Sequence, residues 1–201
     1  NSYNTAMGFQ AGLSVTTGIK NTFVGSLTGD GLTTGNNNTA MGYLSLSSSS
    51  TASENSAFGA GSLNSTTTGT ANVAVGQNAA VSNTTGSNNT AIGQDSLFAN
   101  TTGVNLAALG GNALAANTTG NSSVAIGYLA LDANTTASNN IAIGQHAVGT
   151  NTTGASNVGI GHEALYLNTT ASNNTAVGFQ SLRTNTTGVD NVSVGSQALD
   201  A

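Results

Sequence analysis

A glycine recurs every 17 residues, without one insertion or deletion, at Gly8, Gly25, Gly42, Gly59, Gly76, Gly93, Gly110, Gly127, Gly144, Gly161, Gly178 and Gly195. Random low-complexity sequence does not hold phase over twelve copies, so the chain is an ordered array of equivalent units. A helical-repeat unit needs two helices and about 33 residues or more, so 17 is too short for one. β-Branched residues alternate with small ones before each glycine, which suits a short strand.

Each slot of the unit has its own character. The residue before the glycine is always large and apolar, as in Val75, Ile92, Leu109, Ile126 and Ile143. The residue before that is Ala in nine copies, including Ala74, Ala91, Ala108, Ala125 and Ala142. Four before the glycine stands Asn in ten copies, among them Asn72, Asn89, Asn140, Asn157 and Asn174. Four after it comes Leu in eight copies, Leu97, Leu114 and Leu131 among them. A polar Asn-Thr-Thr-Gly stretch follows, and its second Thr is present in all eleven complete copies, as in Thr85, Thr102, Thr119, Thr136 and Thr153.

The unit reads as one coil of an all-β parallel β-solenoid, with residues 1–201 forming twelve coils of one segment. Two short strands per coil are expected, one before the glycine and one over the Ala-Leu segment after it. The Asn-Thr-Thr-Gly stretch forms a corner, because Gly and Asn tolerate positive φ. Coils stacked at roughly 4.8 Å make a rod of roughly 57 Å. Identical positions then lie above one another, so the Asn and Thr ranks are expected to form hydrogen-bonded ladders along the axis. The slot before the glycine and the Leu four after it are expected to form the core. Alternation along the strand then sends the Ala rank outward, to a close-packed seam with another chain. The opposite facing exposes the stripe of Ile, Val, Met and Leu instead, so an oligomer is expected either way.

Composition removes several functions. Asn, Thr, Ser and Gly supply 109 of 201 residues, and Leu, Ile, Val and Phe only 40. With two Lys+Arg and a net charge of −5, the chain has no basic surface for nucleic acid. No apolar run approaches the ~18 residues of a membrane helix. Zero Cys excludes disulfides and thiolate chemistry. The chain begins at Asn1 and stops three residues short of completing its twelfth period. That, with no polar cap at either end, suits an internal length of a longer fibre.

Chemistry-bearing residues are few. His146 and Glu163 each lie two after a glycine and are expected to stack as a surface pair, with no third partner for catalysis. Arg183 is expected between Tyr166 and Asp200. Five scattered Asp residues cannot supply a calcium roll, so no metal and no cofactor are expected. Phe9, Tyr43, Tyr128 and Phe179 follow glycines but never on adjacent coils, a weak basis for a sugar platform. The Thr rank also suits an ice- or glycan-binding face, although its consecutive Thr point different ways. Asn83, Asn100, Asn117, Asn134, Asn151, Asn168 and Asn185 are formal glycosylation acceptors, for which turn chemistry plus ladder bonding is the simpler reading.

Asn-Thr-Ala-Ile-Gly at 89–93, Asn-Ser-Ser-Val-Ala-Ile-Gly at 121–127 and Asn-Val-Ser-Val-Gly at 191–195 resemble the head repeats of trimeric autotransporter adhesins. The longer units at 83–93 and 173–182 are similar to repeats of bacteriophage tail-fibre proteins. The resemblance covers the whole chain, with a period longer than that of the usual adhesin head. It implies a left-handed β-roll, a side-by-side homotrimer, and an extracellular, non-enzymatic shaft on a virion or cell surface. Any host-surface glycan would then be met through a tip outside this sequence.

Strict phase makes length the vulnerable property. Deleting one residue in the Asn117–Gly120 corner should break the ladders across that coil and lower the melting temperature, whereas His146→Ala should change stability by less than about 0.5 kcal/mol. A deletion variant that melts like the parent would contradict the strict-register reading.

Overall fold

A computed structural model describes residues 3–200. Each coil contributes one three-residue strand, from β1 (Thr5–Met7) to β12 (Val192–Val194). The strands stack in sequence order into one parallel sheet, giving a β-solenoid of about eleven turns without a helix among the described residues. Partners are 17 residues apart throughout, for example Thr90↔Ala107, Ala91↔Ala108 and Ile92↔Leu109.

The second segment of each coil is not the strand expected from the sequence. It is a run of tight turns. In the fourth coil Ser62 N–H donates to Gly59 O at 3.2 Å and Asn64 N–H to Gly61 O at 3.2 Å. The third residues of these turns, Gly61 (φ 71°) and Leu63 (φ 50°), have the positive φ of type II turns. The intervening N–H groups bond neighbouring coils: Gly61 to Tyr43 O at 2.9 Å, Leu63 to Ala79 O at 3.0 Å and Ser65 to Val81 O at 3.0 Å. This wall is therefore laddered along the axis without being extended. The left-handed conformation costs Leu about 1–2 kcal/mol, and burying its side chain returns about 1.5–3 kcal/mol.

The repeating glycine is required for two reasons. Gly127 sits at φ 133°, which L side chains rarely adopt. A Cβ there would also lie 2.7 Å from the carbonyl carbon and oxygen of Gly144, one coil on.

The two sides of the strand are reversed relative to the sequence reading. Ala74, Ala91, Ala108, Ala125 and Ala142 are fully buried inside the coil and so are not at an outer seam. Val75, Ile92 and Ile126 face outward, 38–40% exposed, and Leu109 and Ile143 are half-buried on that same face. The reason is room. Leu97, Leu114 and Leu131 reach inward from the turn wall and are fully buried. Opposite a Leu, a 17-residue coil has space for a methyl group and not for a second large side chain.

The exceptions in the Ala rank obey the same volume rule. Phe23 replaces Ala and is buried, because Gly12 and Gly29 replace Leu in the facing slots of the first two coils. A Cβ on Gly12 would meet the Phe23 ring at 2.9 Å, and one on Gly29 would overlap it. Gly159 likewise makes room for Val148, whose Cγ2 would stand 2.5 Å from an added Cβ.

Phe23→Ala should therefore destabilise by about 3–5 kcal/mol through the cavity it leaves. Adding Gly29→Leu should recover much of that loss, since Leu is held at the same backbone angle elsewhere in the rank. Denaturant titration of the two variants checks the coupling, and a double variant no more stable than Phe23→Ala would show that the slots do not share one volume.

Candidate functional site

The interior of the solenoid is half polar. Asn72, Asn89, Asn140, Asn157 and Asn174 point inward and are buried. Asn72 Oδ1 accepts the N–H of Asn89 at 3.0 Å, and Asn72 Nδ2 donates to Gly86 O at 2.9 Å. The same pair of bonds ties Asn140 to Asn157 N–H at 2.8 Å and to Gly154 O at 2.9 Å. Each carboxamide thus joins its own coil to the next. A second ladder runs through Asn83, Asn100, Asn117, Asn134, Asn151 and Asn168, all fully buried, to the half-buried Asn185. Asn117 Nδ2, for example, donates to Asn100 Oδ1 at 2.9 Å and to Gly120 O at 3.1 Å. Their burial in the folded chain favours the expected ladder over glycosylation, since an acceptor amide must reach solvent.

This ladder is the one expected for these corner residues, and its rank starts with other residues: Val15, Leu32, Ser49 and Thr66. Ser49 Oγ and Thr66 Oγ1 are buried without a hydrogen-bond partner. They occupy the two rungs just before the carboxamides begin.

The Thr ladder lies one residue earlier than expected. Thr85, Thr102, Thr119, Thr136 and Thr153 are exposed, and their hydroxyls make no hydrogen bond to the described chain. The side-chain ladder belongs to the preceding Thr, where Thr84 Oγ1 donates to Thr101 O at 2.9 Å and Thr101 Oγ1 to Thr118 O at 3.0 Å. The exposed Thr form a single file along a corner and not a plane of two files.

Three surfaces follow from these ranks. The first is the outer face of the sheet, two side chains wide. The second is the corner carrying the free Thr hydroxyls. The third is the turn wall, formed by positions one, two and five after each glycine. Asp30, Asp95, Asp132, His146, His162, Glu163, Arg183 and Asp200 all stand on the turn wall. Lys20, Glu54 and Asp190 share the position twelve after the glycine. The sheet face carries no ionisable residue from its first coil to its last. Comparison with protein-family models, curated proteins and solved structures finds no match. The chemistry of these surfaces must therefore be read from the chain itself.

The turn wall is densest around coils eight to eleven. His146 packs edge-on between Tyr128, at 6.1 Å between centroids, and Tyr166, at 5.8 Å. His162 stacks on Phe179 at 5.5 Å and 13°. Arg183 covers the Tyr166 ring at 5.8 Å and donates from Nε to Glu163 Oε2 at 2.8 Å. Glu163 is thus paired with Arg183 and Gln180, a correction to the expected His146–Glu163 pair. Arg183 was the missed partner because it reaches from three positions further along the wall. Among the described residues no three His, Asp or Glu side chains gather as a metal site, and no helix is long and apolar enough to cross a membrane.

The Gln180 carboxamide and then Arg183 hold the Glu163 carboxyl below the usual range, whereas burial pushes Asp132 up. A lowered carboxyl contributes stability that is complete above the ordinary carboxylate range and is lost as pH falls through the lowered value. A raised one opposes folding once it must ionise. Melting from pH 7 to pH 3 should therefore fall less steeply in Glu163→Gln than in the parent. Asp132→Asn should raise the melting temperature at pH 7 and leave it unchanged at pH 3. Parallel curves for parent and Glu163→Gln would remove the Glu163 contribution.

Proposed function

We propose that this chain is a length of an extracellular fibre shaft, of a phage tail fibre or cell-surface adhesin, made of side-by-side copies of the solenoid. Its role is mechanical and non-catalytic: it supports attachment to a host or surface. The observation that carries this reading is the segregation of charge from the sheet face. Eight ionisable residues lie on the turn wall and three, Lys20, Glu54 and Asp190, in the segment leading into the strand, while the sheet face itself shows only Thr, Ser, Ala and large apolar side chains. That face is roughly 10 Å wide and 57 Å long. Its area of about 600 Å² is at the upper end of the apolar patches that monomers expose. A parallel sheet with one bare apolar face is an aggregation hazard, and another copy of the same chain covers it over its whole length. The number three comes from the resemblance to trimeric adhesin repeats.

The seam in this reading is built from residues such as Leu109, Ile126 and Ile143, in place of the Ala rank. The rod suits a shaft because backbone bonds, two carboxamide ladders and the Thr hydroxyls all run along its axis. Most of the ionisable groups of the turn wall gather at coils eight to eleven around the solvent-facing Arg183–Glu163 ion pair, an arrangement suited to a contact surface more than to a reaction centre.

Light scattering tests the seam. The parent should be a homo-oligomer, and Ile126→Lys combined with Ile143→Lys should yield a monomer with the parent's circular dichroism. Ala108→Arg combined with Ala125→Arg should instead fail to fold, because it places charge inside the coil. A monomeric parent, or a lysine variant of unchanged mass, would contradict the proposed seam.

A further inference from the structure

The turn wall has a shallow groove of about 230 Å³ lined by Asp95, Phe98, Asn112 and Ala115. It spans the coils of Gly93 and Gly110, away from the charge-free sheet face. Asp95 and Asn112 occupy the same position on successive coils, two after the glycine, and Phe98 and Ala115 the position five after it. Phe98 is 42% exposed. Its counterpart one coil on, Ala115, has only a methyl group, so the ring borders open space.

The polar side of the groove is arranged in advance. Asp95 Oδ1 accepts from Asn78 Nδ2 at 3.1 Å, and Oδ2 accepts from Gln94 Nε2 at 3.1 Å. Two carboxamides therefore orient the carboxylate, and each oxygen keeps a second lone pair for a ligand. Asp95 has no cationic partner, since the ion pair among the described residues is Arg183–Glu163. The Asn112 backbone N–H is engaged with Gln94 O at 3.0 Å. Its carboxamide makes no hydrogen bond to the described chain and offers both a donor and an acceptor.

We propose that this groove binds one pyranose ring of a neutral glycan. An aromatic ring takes the apolar C–H face of a hexose. The carboxylate accepts from two hydroxyls, and the carboxamide completes the set as both donor and acceptor. A phosphate or sulfate ligand finds no cation here, and a divalent metal finds a single carboxylate. A single ring offers few contacts, and copies of the site along a fibre raise its affinity by multivalency. This inference rests on the turn wall facing outward in the fibre.

The experiment is saturation-transfer NMR on the intact chain with the methyl glycosides of glucose, galactose and mannose, and with an acetylated lysine amide as a cationic probe. The expected result is transfer to the C–H protons of one glycoside, competed by the free sugar. Phe98→Ala and Asp95→Asn should each reduce that binding at least tenfold with unchanged melting. Tyr43→Ala, on the same wall three coils before Asp95 and Phe98, should leave it intact. No transfer to any glycoside, transfer that survives Phe98→Ala, or binding of the lysine amide alone overturns the proposal. Light scattering on the same samples separates the two readings: an oligomer without sugar transfer sinks the glycan site alone, whereas a monomer that binds sugar sinks the seam alone.

Discussion

The carboxamide buried inside a coil cannot be left without partners, and this one requirement organises the molecule. An unpaired amide in the interior costs about 1–3 kcal/mol, and each coil from the fifth to the eleventh encloses at least one. The neighbours that can satisfy such an amide lie mainly above and below. Asn72 is therefore bonded to the coils on either side of it, and Asn117 receives from Asn134 and donates to Asn100. Bonds of this kind exist only if every coil has the same length and the same phase. The unbroken period of the sequence is the trace of that demand.

A polar interior also inverts the usual distribution of side chains. The inside of the coil holds Asn, Ala, Ser and one Leu, while Ile, Val, Met and Phe stand outside on the sheet. In a larger domain a rank of Ile would define the core. Here the cross-section is set by the backbone, and the interior fills before the large side chains can enter. Phe23 marks the limit of the rule: it enters only where two leucines have become glycines.

This explains what could be read from the sequence. The solenoid, its twelve coils and the inward Leu97, Leu114 and Leu131 follow from spacing, and so does the carboxamide rank at Asn72. Spacing does not report which side of a three-residue strand is inside, because Ala108 and Leu109 are both apolar and adjacent. Volume decides it, and volume depends on what faces the strand across the coil. The Thr shift by one residue has a similar origin: Thr84 and Thr85 are the same residue type, and only the local backbone distinguishes the bonded hydroxyl from the free one. The second carboxamide ladder was legible as the corner rank Asn83, Asn100 and Asn117, although four early coils carry other residues there. The groove beside Phe98 needs two positions on two coils, and single-rank inspection does not bring them together.

The strict coil length has a consequence for how such a rod can change over time. A duplication or loss of a whole coil preserves every rung, because the coils on either side of the junction still present identical faces. Any other change in length displaces every rank beyond it. The reach of the rod is thus quantised, in steps of roughly 4.8 Å. Recombination between near-identical units supplies such steps readily, so a lineage can lengthen or shorten the rod while keeping every ladder in register.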